Sequence, residues 1–178
     1  PRDAGGVESF AAADIGAALK AIRASVAGVP VGVSTREGIL ADPAARQRAF
    51  QAWNVLPDYV SVNLSEADAP EVIRLMLKRS IGIEAGLATV ADAERYVALP
   101  EAGSCLRILI EIDEQESASA LRVAHGIIAV LERAGSKLPR QLHGFDAGKW
   151  VMHAEALRLV LDQRIGFEDG GFLPDGPV

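Results

Sequence analysis

The residues best suited to chemistry in this chain are one cation and two carboxylates that occur close together near its end. The sequence from position 164 to 169 reads Arg-Ile-Gly-Phe-Glu-Asp. If this segment is a β-strand, alternation places Arg164, Gly166 and Glu168 on one face and two apolar side chains on the other. Opposite charges inside a protein are costly unless they pair or bind a ligand. The segment therefore predicts either a functional site, with Asp169 at its rim as a base, or a structural ion pair.

Polar residues also follow the other short apolar runs of the chain. In a parallel barrel, catalytic groups come from the carboxyl ends of the strands and from the loops that follow them. Carboxylates, hydroxyls and one histidine at such positions are suited to metal-assisted or acid–base chemistry. The candidates outside the segment just described are Ser34, Thr35, Asn63, Glu84, Glu111 and His143. For His143 the pattern leaves open whether the ring binds a ligand or is a structural group.

The elements that would position these residues alternate along the chain. Apolar, often β-branched runs predict strands, and longer stretches with helical spacing predict helices. The strands are expected at 29–34, 59–64, 81–86, 106–112, 140–144 and 164–168. The helices are expected at 11–26, 43–53, 70–79, 90–98, 117–134 and 149–161. One strand and one helix together occupy roughly 22 to 34 residues, which is the size of a βα unit.

Three local patterns support the predicted helix ends. Asp42 stands directly before Pro43, a combination that is typical of a helix start. Thr89 is followed three residues later by Asp92, which resembles a capping box. Gly135 follows the predicted helix at 117–134 and is suited to a left-handed helix end.

Strict alternation of strand and helix predicts an α/β fold with a parallel sheet and right-handed crossovers. The two candidates are an open doubly wound sheet and a closed (β/α)8 TIM barrel. No Gly-x-Gly-x-x-Gly pattern follows a predicted strand, which argues against a dinucleotide-binding open sheet. We therefore expect residues 1–178 to form a single TIM-barrel domain, of which the chain covers about six βα units.

Both ends of the chain resemble the interior of loops. Positions 1–6 are polar and glycine-rich, and positions 173–178 read Leu-Pro-Asp-Gly-Pro-Val. Six strands cannot close an eight-stranded barrel. We expect the domain to be incomplete, with two further strands on the amino-terminal side and a continuation after the carboxyl terminus.

The composition indicates a folded, aliphatic protein and excludes several classes of partner. The formal net charge is −6, and the lysines and arginines form no basic cluster of the kind that binds nucleic acid. No apolar run approaches the roughly 18 residues of a membrane span, and no leader sequence is recognisable. Cys105 is the one cysteine and is expected in the core. We expect a soluble, cytoplasmic protein without nucleic-acid or membrane partners.

The order of several segments carries further information. Leu142-His143-Gly144 precedes a predicted helix that contains Trp150, and the Arg-to-Glu-Asp segment at 164–169 and Leu-Pro-Asp-Gly at 173–176 follow it. Earlier segments of the same kind lie at 30–35, 56–63, 82–87 and 107–111. Together and in this order they resemble the βα units of the beta-keto acid cleavage enzymes over nearly the whole chain. The segment at 164–169 is the most specific of these likenesses.

The resemblance implies a zinc-dependent acyl transfer with carbon–carbon cleavage. In that family a 3-keto acid and acetyl-CoA give acetoacetate and a new CoA ester. By resemblance, Glu168 is a zinc ligand, Asp169 is the general base and Arg164 orients that base. Glu84 corresponds to a catalytic glutamate of the family, and Ser34 corresponds to a serine of its substrate site. Thr35, Asn63 and His143 complete the predicted substrate site as polar strand ends.

Two features of the sequence depart from the family pattern. The two zinc-binding histidines of the family lie in a His-x-His just before an Arg-Asp pair like Arg2-Asp3, so the other ligands are expected upstream of this chain. Where the family often has glycines after the serine and threonine, this chain has Arg36 and Glu37. Family members are homo-oligomers, so self-association is also expected.

Two other readings of the sequence stay open. One is a different metal-dependent barrel lyase or aldolase. A Schiff-base version is disfavoured because no lysine ends a predicted strand. The other is a non-catalytic homologue that binds a CoA ester or a metabolite, which the presence of Arg164, Glu168 and Asp169 together disfavours.

Overall fold

A computed structural model describes residues 1–173 and 176–177 of the chain. The helices are α1 (Ala12–Ser25), α2 (Pro43–Ala52), α3 (Ala69–Lys78), α4 (Val90–Val97), α5 (Ser117–Arg133) and α6 (Lys149–Leu159). The strands are β1 (Gly32–Ser34), β2 (Tyr59–Asn63), β3 (Gly82–Leu87), β4 (Arg107–Ile112), β5 (Arg140–Gly144), β6 (Asp162–Gln163), β7 (Phe172–Leu173) and β8 (Gly176–Pro177). The family-like segment at 173–176 lies partly outside the described residues, because these do not include Pro174 and Asp175.

The predicted α/β class is confirmed. Six strands form one sheet in the order β1-β2-β3-β4-β5-β6, and helices alternate with them along the chain. The pairs β1–β2, β4–β5 and β5–β6 are all parallel. The strands β7 and β8 form a separate antiparallel hairpin. Sequential strands are therefore neighbours, as expected for short right-handed crossovers through a helix.

Two compact units divide the chain, Pro1–Glu84 and Ala85–Val178. In the first unit, Phe10, Phe50 and Trp53 form an aromatic cluster with ring centroids 5.0 Å apart for the two phenylalanines and 5.1 Å apart for Phe50 and Trp53. The Trp53 indole donates a hydrogen bond of 2.9 Å to the Phe10 carbonyl oxygen, so its polar group is satisfied in the core. In the second unit the core is aliphatic and includes most of β4.

The first unit also contains a buried arginine. Arg46 on α2 is 1% exposed, and its guanidinium contacts Asp68 and lies 3.8 Å from Glu66. It also donates a hydrogen bond of 3.2 Å to the Leu40 carbonyl oxygen. Glu66 accepts from the backbone N–H of Glu37 at 3.0 Å. This buried charge cluster fixes the loop after β2 to α2 and to the turn after β1.

The sixth predicted strand is misplaced. We expected it at 164–168, whereas β6 is Asp162–Gln163 and residues Phe167–Asp169 form a 3-10 turn. The Asp169 carboxylate accepts a hydrogen bond of 2.5 Å from the backbone N–H of Gly166, and the Asp169 N–H donates to the Gly166 carbonyl oxygen at 3.1 Å. These two bonds close a tight turn in which strand alternation no longer applies.

The predicted helix ends agree with the observed ones. The Asp42 side chain accepts a hydrogen bond of 2.9 Å from the N–H of Ala44, with Pro43 in the first turn of α2. Thr89 and Asp92 form a reciprocal capping box at the start of α4. Gly135 adopts a φ of +70° after α5. Cys105 is buried, as expected, while Leu106 precedes β4 and is exposed.

The loops after β4 and β5 meet at Gly148, and Gly144 packs closely against the same glycine. A Cβ atom on Gly148 would lie 2.9 Å from the Glu114 carbonyl oxygen, which belongs to the loop after β4. A Cβ atom on Gly144 would lie 2.9 Å from the Gly148 carbonyl oxygen and 2.8 Å from the Met152 side chain. Because the near atoms include backbone, neither position can accept a larger residue without movement of a loop.

Val160, at the end of α6, is a source of strain that can be removed. It adopts a left-handed conformation with φ +55° and is 91% exposed. This conformation costs a β-branched residue about 1–2 kcal/mol, and glycine avoids that cost. We expect Val160→Gly to raise the free energy of unfolding by about 1 kcal/mol in urea titrations.

Val26→Gly is the matched control for this prediction. Val26 ends α1 with φ −136°, so glycine there should not stabilise. Equal effects of the two substitutions would contradict the assignment of strain.

Among the residues that the structure describes, no helix is long and apolar enough to cross a membrane.

Candidate functional site

The carboxyl ends of β4, β5 and β6 bring three of the candidate residues side by side. In the parallel pairing Glu111 stands opposite His143, and Leu142 stands opposite Gln163. Arg164 therefore follows β6 at the level of His143. Its carbonyl oxygen is 3.0 Å from His143 Nδ1. The strand register thus brings together three residues that are spread over more than fifty positions of the sequence.

His143 is buried and held in one tautomer. A carbonyl oxygen can only accept, so Nδ1 must carry the hydrogen that it donates to Arg164. Burial lowers the pKa of His143, because it penalises the charged imidazolium, and the Arg164 carbonyl and Asp169 oppose this shift. The ring of Phe145 packs edge-on against the imidazole at 4.4 Å between centroids. His143 thus presents Nε2 in a fixed direction.

Asp169 lies where Nε2 of His143 points. Its Oδ1 is 3.3 Å from Nε2, and neither side chain is accessible to solvent. Within the described part of the chain neither of these two atoms has a hydrogen-bond partner. A single proton between them would satisfy both, because the neutral imidazole nitrogen and the carboxylate oxygen are each acceptors. The arrangement is therefore a buried pair suited to hold one proton.

The guanidinium of Arg164 lies between two carboxylates. It is 3.6 Å from Glu111 and 3.6 Å from Glu168. The Glu168 side chain is 66% exposed. Its pKa is lowered, first by a hydrogen bond from its own backbone N–H and then by the charge of Arg164. Both ion pairs are long and reach solvent, so water or a polar ligand can replace either contact.

The orientations expected for the two adjacent carboxylates are reversed. Strand alternation predicted Glu168 inward and Asp169 at the rim. In the structure Asp169 is 1% exposed and Glu168 faces solvent. The 3-10 turn explains the exchange, because Asp169 turns back to accept the N–H of Gly166. Arg164 contacts Glu168, while the polar contacts of Asp169 are made with His143 and Gly166.

The other predicted site residues belong to the first unit. Ser34 is exposed and its hydroxyl accepts from the N–H of Arg36 at 3.2 Å. Thr35 is buried, and its hydroxyl donates to the Ser61 carbonyl oxygen at 2.8 Å. Asn63 and Glu84 complete this set. The Asn63 amide is 3.5 Å from Glu66, and Glu84 is buried in β3. Thr35 is thus occupied in holding β1 to β2, whereas Ser34 is accessible.

One charged residue of the second unit has no counterpart among the sequence predictions. Lys149 begins α6 and is buried, although nothing in a helical pattern distinguishes it from an exposed lysine. The only local signal is the tryptophan that follows it. Its burial comes from the chain at 165–173, which covers it. Helix periodicity cannot predict this contact with a later segment.

Among the described residues of this site, Glu168 is an exposed carboxylate that could bind a metal. Glu168 offers an exposed carboxylate whose only other described ion pair is the long contact with Arg164, and carboxylate oxygen is a good zinc ligand. In residues 1–173 and 176–177 no group of three or more histidine, cysteine, aspartate or glutamate side chains is arranged to hold a metal. Glu168 therefore fits the part of a single ligand, and further ligands would have to be supplied from elsewhere.

The chemistry available at this edge is proton transfer beside an anion-binding group. The His143–Asp169 pair can hold a proton out of contact with water, and Arg164 can bind a carboxylate or an enolate oxygen.

Comparison with known proteins adds no assignment. No model of a protein family matches the chain, and no curated protein matches it.

Proposed function

We propose that this chain is the larger part of a zinc-dependent enzyme that cleaves a 3-keto acid with acetyl-CoA. The bond between the keto carbon and the carboxymethyl group breaks. The acetyl group of acetyl-CoA passes to the carboxymethyl fragment to give acetoacetate, and the remaining acyl group becomes the new CoA ester. The observation that carries the proposal is the grouping of Arg164, Glu168 and the His143–Asp169 pair at one edge of parallel strands. These are the residue types that the family resemblance requires.

The fold part of the proposal is a closed (β/α)8 barrel. The parallel six-stranded sheet with alternating helices supports it, since closure needs only further units of the same kind. By the same resemblance we propose a homo-oligomer in the cytoplasm. Light scattering of the natural full-length protein tests the oligomeric part, and a monomer would contradict it.

Each residue of the group has a proposed task. Arg164 binds the carboxylate of the keto acid, because it is half exposed and its two ion pairs are replaceable. Asp169 accepts the proton that starts the reaction, and His143 holds its carboxylate in place. Zinc, bound in part by Glu168 and otherwise by histidines upstream of Pro1, would polarise the keto oxygen.

The buried state of Asp169 sets a condition on this proposal. A general base must come within hydrogen-bond reach of the proton that it removes. Asp169 is covered in the 3-10 turn Phe167–Asp169, which Gly166 and Gly170 flank. We therefore propose that substrate binding at Arg164 opens this turn. The left-handed Gly170, with φ +136°, provides a hinge that other residues rarely allow.

The same burial favours a second candidate, a protein that binds a CoA ester or a metabolite without catalysis. A carboxylate committed to the N–H of Gly166 and to His143 stabilises a turn whether or not it acts as a base. In that case the half-exposed Arg164 would be the ligand contact and Asp169 would have only a structural role. Glu168 would not need to bind zinc.

One experiment separates the two candidates. The natural full-length protein is supplied with zinc, acetyl-CoA and a panel of 3-keto acids, and acetoacetate and the CoA esters are measured by mass spectrometry. The enzyme should produce both in equal amounts. Binding of acetyl-CoA without either product would favour the non-catalytic candidate, and neither binding nor product would remove both the enzyme and the binder of CoA esters.

A further inference from the structure

Lys149 is a buried cation at the start of α6 in the second unit. The residue is 4% exposed. Its ammonium group donates a hydrogen bond of 2.5 Å to the Gly170 carbonyl oxygen and lies 5.2 Å from the centre of the Trp150 ring. An ammonium group has three N–H donors. One carbonyl and one aromatic face leave part of this capacity for another acceptor.

The charge of Lys149 has no anionic partner in the described structure. Across residues 1–173 and 176–177, no carboxylate lies within ion-pair distance of its nitrogen. The carboxylate of Asp146 is the one near it, since Asp146 Oδ1 and Lys149 Nζ would each lie 3.5 Å from a Cβ atom on Gly170, but the two form no ion pair. Burying an unpaired charge is costly, and proteins usually offset this cost with a counterion or a ligand.

A small cavity opens beside this cation. Its volume is about 240 Å³, and its walls are Lys149, Trp150, Ile165, Gly166, Gly170, Phe172 and Leu173. Among the described residues of this wall Lys149 is the one charged residue, and the remaining side chains are apolar. Pockets for drug-sized ligands are about 300–1,000 Å³, so this one suits a smaller molecule.

We infer that this cavity binds a small carboxylate with a short apolar chain, whose carboxylate pairs with Lys149. A single cation matches the single charge of a carboxylate. A phosphate group would bring more charge than one lysine balances, and the described part of the wall has no arginine to share it. The apolar walls would receive the chain and displace water from Trp150 and Phe172. The inference holds whether or not the chain cleaves keto acids.

Calorimetric titration with three probes tests this inference. Hexanoate, hexan-1-ol and inorganic phosphate are each added to the chain. We expect hexanoate to bind at least tenfold more tightly than hexan-1-ol, which has the same chain without the charge. Phosphate should bind more weakly than hexanoate. Equal affinity for the acid and the alcohol, tighter binding of phosphate, or no detectable binding of hexanoate would each overturn the inference.

Two variants locate the site. Lys149→Met keeps the length of the side chain without its charge, and it should reduce hexanoate affinity at least tenfold while hexan-1-ol affinity stays the same. Lys20→Met, at an exposed position of α1, is the matched control and should change neither. Ile165→Trp should fill the cavity and abolish binding of both molecules with Lys149 in place. It decides the question if Lys149→Met does not fold. Wild-type affinity in a folded Lys149→Met or Ile165→Trp variant would refute the site.

Discussion

Asp169→Asn should leave the fold intact and reduce turnover at least about 100-fold, the loss expected for a missing general base. The amide is the same shape as the carboxylate. Its oxygen can accept the N–H of Gly166, and its NH2 group can donate to Nε2 of His143, which lies 3.3 Å from Oδ1 and needs a donor. The amide cannot accept the reacting proton. Steady-state turnover and urea unfolding of the natural full-length protein measure the two effects separately.

Asp169→Ala provides the structural comparison for this experiment. Alanine leaves the Gly166 N–H without its acceptor and removes the carboxylate next to His143 Nε2 in a buried place, which should lower the free energy of unfolding by about 1–3 kcal/mol. The asparagine variant should therefore be stable and inactive, whereas the alanine variant should be both unstable and inactive. Full activity in the asparagine variant would show that Asp169 is not the base.

Replacement of Glu168 is expected to affect zinc binding rather than proton transfer. Glu168→Gln should weaken zinc retention, because a neutral amide is a much poorer ligand than a carboxylate. It should have little effect on the stability of the metal-free protein, since the side chain is exposed and its ion pair with Arg164 is long. Metal analysis after dialysis tests this. Unchanged zinc content in the variant would contradict the proposed ligand.

Arg46→Met should lower the free energy of unfolding by about 3–5 kcal/mol, which is the usual cost of removing one partner of a buried ion pair. Arg46 is the cation between Asp68 and Glu66, and all three side chains are mostly buried. Methionine can fill the space of the arginine stem. It cannot offset the negative charge or donate to the Leu40 carbonyl oxygen. Urea unfolding at neutral pH gives the size of the loss.

Arg48→Met is the control for this prediction. Arg48 lies two residues further along α2 and is exposed, so its replacement should change the free energy of unfolding by less than about 0.5 kcal/mol. Similar losses in the two variants would show that the α2 helix, rather than the buried charge cluster, is sensitive to arginine replacement.

Helices and strands were predicted well from the sequence where nearby residues determine their ends. The helix that begins at Pro43 follows from Asp42, whose carboxylate can reach the N–H groups of the first turn. The helix that begins at Val90 follows from the Thr89 and Asp92 capping box. The strand Arg140–Gly144 was predicted with its observed bounds, which end at a glycine. These signals act over three or four residues and do not depend on the rest of the fold.

The segment at 164–169 shows where this approach failed. Its apolar residues at alternate positions satisfy the strand pattern, and the pattern alone cannot reveal that the Asp169 side chain will bond to the N–H of Gly166. A glycine followed three residues later by aspartate resembles the capping spacing recognised at Thr89. That competing signal was available and would have predicted a turn with Asp169 inside it.

Buried charges were the second kind of feature that the sequence did not reveal. Arg46 and Lys149 both lie in ordinary helical patterns, and each is buried because a distant segment covers it. Arg46 meets Asp68 from the loop after β2, and Lys149 meets the Gly170 carbonyl oxygen from the turn after β6. Such contacts depend on tertiary packing, which a single sequence without known contacts does not specify.

Gly148, where the loops after β4 and β5 meet, restricts how this site can change during evolution. Because a Cβ atom on Gly148 would meet the Glu114 backbone, an insertion or a larger residue in either loop would displace the other. Mutations that alter ligand preference without loss of stability should therefore accumulate at Ile165, Phe172 and Leu173, which border the cavity. Directed evolution of this protein would best randomise these three positions and leave Gly144 and Gly148 unchanged.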